Sequence, residues 1–164
     1  MIAALRSRWR IFTALAVAAA ASAADHGLSD EHATVAARFH NCVFKIDSIT
    51  SPDLIAVRAP HGARFDVRLC GVAPPGDRPA AAPLLDRFVG AKVRLLLDER
   101  HPTRDASGHL IAYALLEHGS REMLNEIVIR DGLSRADSQN AYAYRVRFET
   151  YDARSQRQAT DRRP

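Results

Sequence analysis

Three short segments between residues 42 and 70, in which apolar and polar residues alternate, constrain this chain most strongly. Phe44 and Ile46 share one side of the first segment, and Val67 and Leu69 share one side of the third. Alternation with a period of two is typical of half-buried strands. Proline- and glycine-containing turns separate the segments, so the pattern predicts a three-stranded meander.

The segment that follows the third strand changes its period. Leu84, Leu85, Phe88 and Val89 fall on one face of a helix, and Gly90 follows them. Glycine is favoured just after the end of a helix, so a short amphipathic helix is predicted here. Pro83 suits its first turn.

Two further strands are predicted over residues 92–98 and 110–116, joined by a polar loop. A helix capped by Ser120 and ending at Gly132 follows them. A last helix is expected from about Ser138, because Tyr144, Phe148 and Tyr151 are spaced as a buried aromatic stripe. The chain is expected to fray from about residue 157.

The predicted order is three strands, a helix, two strands and two helices. This order suits a mainly β fold with helices (α+β), a five-stranded Greek-key barrel of the OB type with about three packed helices. The residues expected to point into the barrel belong to the apolar faces of their strands: Phe44, Ile46, Val67, Leu69, Leu95 and Ala112.

The first 23 residues have the features of a secretory signal peptide. Arg6, Arg8 and Arg10 precede an apolar run over residues 11–21, which ends in small residues before a cleavage point after Ala23. The run is too short to span a bilayer of roughly 30 Å, so no retained membrane anchor is expected. We therefore expect a periplasmic or secreted protein with an N-terminal lead (24–40), one domain (41–156) and a basic tail (157–164).

Export changes the charge balance of the chain. The full chain has 23 basic and 19 acidic residues, and the leader removes three arginines and no acid. A nearly neutral mature domain has no general attraction for nucleic acid, although a local basic patch remains compatible with it.

Two cysteines, Cys42 and Cys70, are expected toward opposite ends of the meander, which argues against a disulfide between them.

Three segments, in matching order, resemble the staphylococcal-nuclease-like (thermonuclease) family. Residues 49–55, Ile-Thr-Ser-Pro-Asp-Leu-Ile, stand in place of that family's Asp-Gly-Asp-Thr turn. Residues 67–75, Val-Arg-Leu-Cys-Gly-Val-Ala-Pro-Pro, are similar to its Arg-Leu-x-Gly-Ile-Asp-x-Pro-Glu motif. Residues 105–113, followed by residues 123–133, are similar to its Gly-Arg-x-Leu-Ala, Val-Asn and Gly-Leu-Ala patterns.

The resemblance implies a nuclease site in which two aspartates and a backbone carbonyl hold calcium. A glutamate positions the attacking water, and two arginines stabilise the charge of the transition state. Asp53 matches a metal-binding aspartate and Arg68 matches a catalytic arginine. Calcium is therefore the expected cofactor if the protein is a nuclease, and no cofactor is expected otherwise.

Several positions depart from that pattern. Ala73 stands in place of the second metal-binding aspartate, Gly76 replaces the glutamate, and His109 replaces the second arginine. A methyl group cannot coordinate a hard cation, and an imidazole carries its charge only part of the time. Asp77 is the nearby carboxylate that could substitute for the glutamate, after a shift of register.

Each of these residues also has a structural interpretation. Arg68 could pair with Asp66 or Asp53 on the polar face of the barrel, and Asp53 could stabilise its own turn. Asn125 is expected to bond loop backbone.

Three functions remain open from the sequence. The first is a non-catalytic module that binds a peptide, a protein or single-stranded nucleic acid. The second is a divergent metal-dependent nuclease that uses Arg68, Asp53, His109 and Asp77. The third is a structural protein of the cell envelope. The losses at Ala73, Gly76 and His109 favour the first.

Overall fold

A computed structural model describes residues 30–75, 82–119 and 122–161. The predicted leader with its cleavage point, together with Gly76, Asp77 and Ser120, lies outside these ranges. Residues 30–39 are helical (α1), which the sequence did not predict. The described residues up to 37 and those from 38 onward belong to two separate compact units.

Five strands form the second unit's core. They are β1 (Val43–Ser51), β2 (Leu54–Arg58), β3 (Arg64–Leu69), β4 (Lys92–Leu96) and β5 (Leu110–Leu116). They close into a barrel in the order β1-β2-β3-β5-β4, in which β3 and β5 run parallel and all other neighbours run antiparallel. The structure is therefore α+β with a closed barrel of the OB type, which confirms the predicted fold class.

The six residues expected inside the barrel are all buried, none of them more than 6% exposed. At one end of the barrel Phe39, Phe44 and Phe65 form an aromatic cluster. The Phe44 and Phe65 ring centroids lie 5.1 Å apart at an interplanar angle of 89°, the edge-to-face arrangement that aromatic pairs prefer.

The short helix after β3 is less regular than its sequence predicts. An α-helical turn, α2 (Ala82–Leu85), gives way to a 3₁₀ turn over Asp86–Phe88. Leu85 is buried, but Leu84 is 62% and Val89 44% exposed, so the single apolar face predicted for this helix is wrong. The change of helix type rotates the later residues away from the period of 3.6 on which the prediction rested.

The C-terminal helices are α3 (Leu124–Arg130) and α4 (Arg145–Asp161). The N-cap position of α3 is Met123, so the predicted cap at Ser120 is wrong. Gly132, with φ of +71°, follows its last turn as predicted.

Helix α4 begins at Arg145 rather than near Ser138, and it continues past residue 157, where fraying was expected. The later start has a local cause, because the Asp137 carboxylate accepts hydrogen bonds from the backbone of Gln139 (2.8 Å) and the side chain of Asn140 (2.7 Å). Such bonds stabilise a turn in competition with a helix.

Candidate functional site

The side chains with the strongest resemblance to a nuclease site converge where two loops meet strand β3. Arg68 lies on β3 and pairs in register with Leu54, the residue after Asp53. The Asp53 carbonyl accepts the Leu69 amide at 2.8 Å, so the turn between β1 and β2 is fixed against β3. Asp105 and His109 lie in the loop between β4 and β5.

The Arg68 guanidinium lies between two carboxylates. Its Nη1 donates to Asp53 Oδ2, and its Nε donates to Asp105 Oδ2 at 2.6 Å. The Asp53 side chain is 3% exposed and also accepts a 2.6 Å hydrogen bond from Ser51 Oγ. Of Asp66 and Asp53, the two partners predicted for Arg68, the structure shows a pair with Asp53. It also shows a second pair, with Asp105, that was not predicted.

Asp105 organises the loop around it. Its Oδ1 accepts the backbone amides of Ser107 and His109 at 2.9 Å each, and its Oδ2 lies 2.9 Å from His109 Nδ1. Burial raises the pKa of the Asp105 carboxyl, but the hydrogen bonds from Arg68 and His109 outweigh it, so the pKa lies well below its ordinary value of 3.8. The carboxylate is therefore ionised at neutral pH.

The structure thus brings together three of the four predicted site residues: Asp53, Arg68 and His109. Asp77 lies outside the described residues. Sequence reasoning placed Asp105 in the polar loop but missed it as a member of the site. Its spacing from Ser107 and Gly108, typical of an Asx-type turn, was the available signal.

Ala73 offers no free group that could bind a cation. Its amide donates to the Arg135 carbonyl at 2.9 Å, and its own carbonyl accepts Ser134 Oγ at 2.6 Å. Its methyl side chain offers no ligand atom.

The residues of this site do not fit calcium. Oδ2 of Asp53 and Oδ2 of Asp105 are both occupied by the Arg68 guanidinium, whose fixed positive charge repels a cation placed beside it. Among the residues that the structure describes, no group of three histidine, cysteine, aspartate or glutamate side chains is placed to hold a metal ion.

A cleft of about 660 Å³ opens beside this site. It is lined by Arg68, Asp53 and Asp105 from the cluster, by Pro74, Pro75 and Pro102, and by His101, Arg104, Asp137 and Asn140. Among the described residues, its charged lining consists of three aspartates and two arginines, which gives this part of the lining no excess of positive charge.

A buried polar network lies behind the cleft. Tyr113 Oη donates to Asp98 Oδ2 at 2.6 Å, and the Asp98 carboxylate also accepts the backbone amides of Arg100 and Ala143. Burial raises the pKa of the Cys70 thiol to about 12, so it stays protonated. Cys70 and Cys42 are both free thiols.

Asn125 bonds backbone groups as the sequence predicts, although one of its two partners lies in strand β5 and not in a loop. It is fully buried, accepts the Ala114 amide and donates to the Cys70 carbonyl, each at 2.9 Å. It therefore fastens helix α3 to β5 and to the end of β3.

Two members of the predicted aromatic stripe, Phe148 of α4 and Tyr144 just before it, pack against other aromatic rings. Phe148 is fully buried, and Tyr144 meets Tyr113 edge-on with centroids 4.8 Å apart. Two arginines of this helix are engaged in ion pairs, Arg145 with Glu149 and Arg147 with Glu126, each at 2.8 Å.

In the described part of the chain, no helix combines the length and the apolar character needed to cross a membrane. Neither a protein-family model nor a curated protein matches this chain.

Proposed function

We propose that the protein is an exported, thermonuclease-like barrel that binds a peptide segment of a partner protein in the cleft and cleaves phosphodiesters poorly, if at all. The observation that carries the proposal is the position of Arg68 between Asp53 and Asp105. A nuclease of the type implied by the resemblance uses an arginine to contact phosphate and aspartates to hold a metal. Here the arginine and the aspartates pair with one another instead.

The energetics of this cluster support the proposal. Asp53 is almost fully buried, and Asp105 accepts four hydrogen bonds through its two carboxylate oxygens. A phosphate that bound Arg68 would have to displace two charge-assisted hydrogen bonds, each worth roughly 1.5–3 kcal/mol. The arginine is therefore a poor phosphate ligand in this arrangement.

The replaced residues also support weak or absent cleavage of phosphodiesters. Ala73 provides no carboxylate, and Gly76 provides no group that could position a water molecule. Loss of a general base alone typically costs about 10²- to 10⁴-fold in rate. The losses act on one transition state, so they need not multiply.

The charge of the cleft favours a peptide over single-stranded nucleic acid. Single-stranded nucleic acids are bound by positively charged grooves with exposed aromatic rings. The described lining of this cleft has three aspartates and two arginines, and one of the arginines, Arg68, is paired with two of the aspartates. Its walls include three prolines, which suit van der Waals contact with a peptide.

Export completes the proposal. The arginine-rich start, the apolar run and the small residues before Ala24 are typical of a signal peptide, so we assign the mature protein to the periplasm or the extracellular space.

The test is a calcium-stimulated nuclease assay that compares the mature protein with the double variant Ala73→Asp/Gly76→Glu and with an active thermonuclease. We expect little cleavage of single-stranded DNA or RNA by the mature protein, at least 10²-fold below the active enzyme at equal concentration. A gain of activity in the double variant would support descent from a nuclease site. Cleavage by the unaltered protein at a rate near that of the active enzyme would refute the proposal.

One observation favours a second candidate, a divergent phosphodiesterase acting on DNA or RNA. Asp105 accepts the Nδ1 hydrogen of His109, which leaves Nε2 as the ring's acceptor. A carboxylate that orients a histidine in this way is the arrangement found beside many nucleophiles. In this candidate His109 is the general base and Arg68 stabilises the transition state, and a His109→Gln variant would lose the activity.

A further inference from the structure

Four basic residues form a row across neighbouring strands of the barrel, on a surface separate from the cleft. Lys92 of β4 lies opposite Lys45 of β1 in the register of the sheet. Lys45 in turn lies opposite Arg58 of β2, which lies opposite Arg64 of β3. Residues that lie opposite each other point to the same face of a sheet. All four are exposed, and none of them lines the cleft. We call them the basic row.

The basic row places like charges next to each other three times. Lysine and arginine are both positively charged at neutral pH. Like charges directly opposite each other destabilise a pair of strands, whereas opposite charges stabilise it. The row is therefore unfavourable for the fold by itself, and an anion bound to it offsets the repulsion.

The arginine half of the row shows how a carboxylate fits between two of these cations. Asp47 Oδ1 accepts Arg58 Nε at 2.9 Å, and Asp47 Oδ2 lies 3.3 Å from Arg64 Nε. The two arginine side chains nevertheless remain about half exposed, at 46% and 53%. A guanidinium has five N–H donors, so both arginines keep donors for a second anion.

The lysine half has no carboxylate of this kind. Lys45 and Lys92 are the only two lysines of the chain. Within the ranges that the structure describes, neither forms an ion pair. Glu117 lies beside Lys92, because its amide donates to the Lys92 carbonyl at 3.0 Å, but its carboxylate is paired with Arg94 at 2.8 Å. The two ammonium groups are thus neighbouring cations without an anionic partner in the described part of the chain.

The row keeps an excess of positive charge when the acids of its own strands are counted. Asp47 and Asp66 are the acidic residues of β1 to β4. Four bases of the row therefore face two acids, and one of these acids, Asp47, is already paired. The net charge selects an anionic ligand.

The surroundings of the row favour protein carboxylates over nucleic acid. Single-stranded nucleic acids are bound by cations together with exposed aromatic rings on which the bases stack. The aromatic residues beside the row are Phe44 and Phe65, which point to the other face of their strands and pack against each other. The row thus offers charge without a stacking surface, and Asp47 shows that a carboxylate fits it.

We propose that the basic row binds an acidic segment of a partner protein. One carboxylate of that segment bridges the ammonium groups of Lys45 and Lys92, as Asp47 bridges the two guanidinium groups, and another pairs with the exposed N–H groups of the arginines. This surface is additional to the cleft, so the inference goes beyond the proposed function and does not depend on it.

The spacing of the row fits an extended acidic segment. Neighbouring strands lie about 4.8 Å apart, so four residues in a row span about 14 Å. In an extended peptide the alternate side chains lie about 6.8 Å apart. Three acidic residues at alternate positions therefore cover the row.

The two lysines allow a direct test. Reductive methylation with ¹³C-formaldehyde labels both lysine side chains of the mature protein and keeps their charge. Lys45→Arg and Lys92→Arg assign the two methyl signals in a two-dimensional NMR spectrum. The probes are the blocked pentapeptides Glu-Ala-Glu-Ala-Glu and Gln-Ala-Gln-Ala-Gln. We expect the glutamate peptide to shift both lysine signals, to bind at least tenfold more tightly than the glutamine peptide, and to lose affinity as salt is added.

The double variant Lys45→Gln/Lys92→Gln removes two charges of the row, and we expect it to bind both peptides alike. Arg154→Gln/Arg157→Gln is the matched control, because it removes the same number of charges from exposed positions of α4. We expect this control to bind like the unaltered protein. If the lysine double variant does not fold, the two peptides on the labelled protein still decide the question.

Three results would overturn the inference. They are equal binding of the two peptides, equal weakening by the two double variants, and tighter binding of a thymidine tetranucleotide than of the glutamate peptide at the same lysines. The tetranucleotide also carries three negative charges, so the last result would assign the row to nucleic acid. None of these results concerns the cleft, whose proposed function is tested by the nuclease assay.

Discussion

Arg68 donates through Nε to Oδ2 of Asp105 at 2.6 Å, across 37 positions of the sequence. This bond joins the third strand to the loop between β4 and β5. Because the same guanidinium also pairs with Asp53, a position that resembles a catalytic arginine becomes the centre of two ion pairs. Since the guanidinium occupies Oδ2 of both aspartates, the cluster accounts for the poor fit to calcium.

Asp105→Asn should destabilise the fold by about 2 kcal/mol. The substitution removes the charge that bonds Arg68 and His109, and hydrogen bonds to charged groups are worth about 1.5–3 kcal/mol. Urea denaturation measures the free energy of unfolding. Asp66→Asn, at an exposed carboxylate, is the control and should change it by no more than about 0.5 kcal/mol. Equal effects of the two substitutions would contradict the role given to Asp105.

The stability of the protein should fall steeply in acid. The pKa of Asp105 lies below its ordinary value of 3.8, and the pKa values of Asp98 and Asp137 are lowered as well. When the folded-state pKa of a carboxyl is lowered, its contribution is present above the unfolded pKa and is lost as the pH falls through the folded pKa.

Thermal melts between pH 7 and pH 2 test this dependence. Above about pH 5 we expect these carboxyls to cause little decrease in the melting temperature. Below about pH 4 we expect the melting temperature to fall progressively. Asp105→Asn should show a shallower acid loss than the unaltered protein. A transition midpoint that stays constant down to pH 2 would be inconsistent with the lowered pKa values.

Gly71→Ala should be more harmful than Gly62→Ala, although both glycines have positive φ, +75° and +92° respectively. A Cβ at residue 71 would lie 2.6 Å from a ring carbon of Tyr142, whereas one at residue 62 would have no atom within 4 Å. At residue 62 we expect the free energy of unfolding to fall by about 1–2 kcal/mol, from the backbone conformation alone. At residue 71 we expect it to fall by about 1–3 kcal/mol more, because the new methyl group clashes with Tyr142. Comparable denaturation midpoints for the two variants would show that Tyr142 is not packed as described.

The leader gives a prediction that needs no folded structure. Cleavage between Ala23 and Ala24 is expected, because small residues precede that bond. Mass spectrometry of the exported protein measures it directly. An intact leader on the mature protein would contradict export, whereas a cut a few residues away would only move the site.

The strands of the barrel could be predicted because local patterns of apolar and polar residues, and the turns between them, mark each one. The faces of Phe44, Ile46, Val67 and Leu69 follow from alternation alone, and the bounds of β5 follow from the turns around it. The parallel pairing of β3 with β5 could not be predicted in this way, because it joins segments that are distant in sequence. Local periodicity carries no information about which strands pair.

The site was only partly accessible to sequence reasoning for the same reason. Arg68, Asp53 and His109 were found through the resemblance, but Asp105 has the composition of an ordinary loop residue. Its function in the structure depends on Arg68, which reaches it through the pairing of β3 with β5. The start of α4 was missed because hydrogen bonds to the Asp137 side chain stabilise a turn where the aromatic spacing allowed a helix.

The central claim is that Arg68 serves the structure of the cluster and does not stabilise a phosphodiester transition state. The most direct measurement is the rate of calcium-stimulated cleavage of single-stranded DNA by the mature protein and by Arg68→Ala, with and without a chelator. We expect at most a trace rate that is the same for both proteins and insensitive to the chelator. Robust turnover that is abolished both by the chelator and by Arg68→Ala would contradict the account.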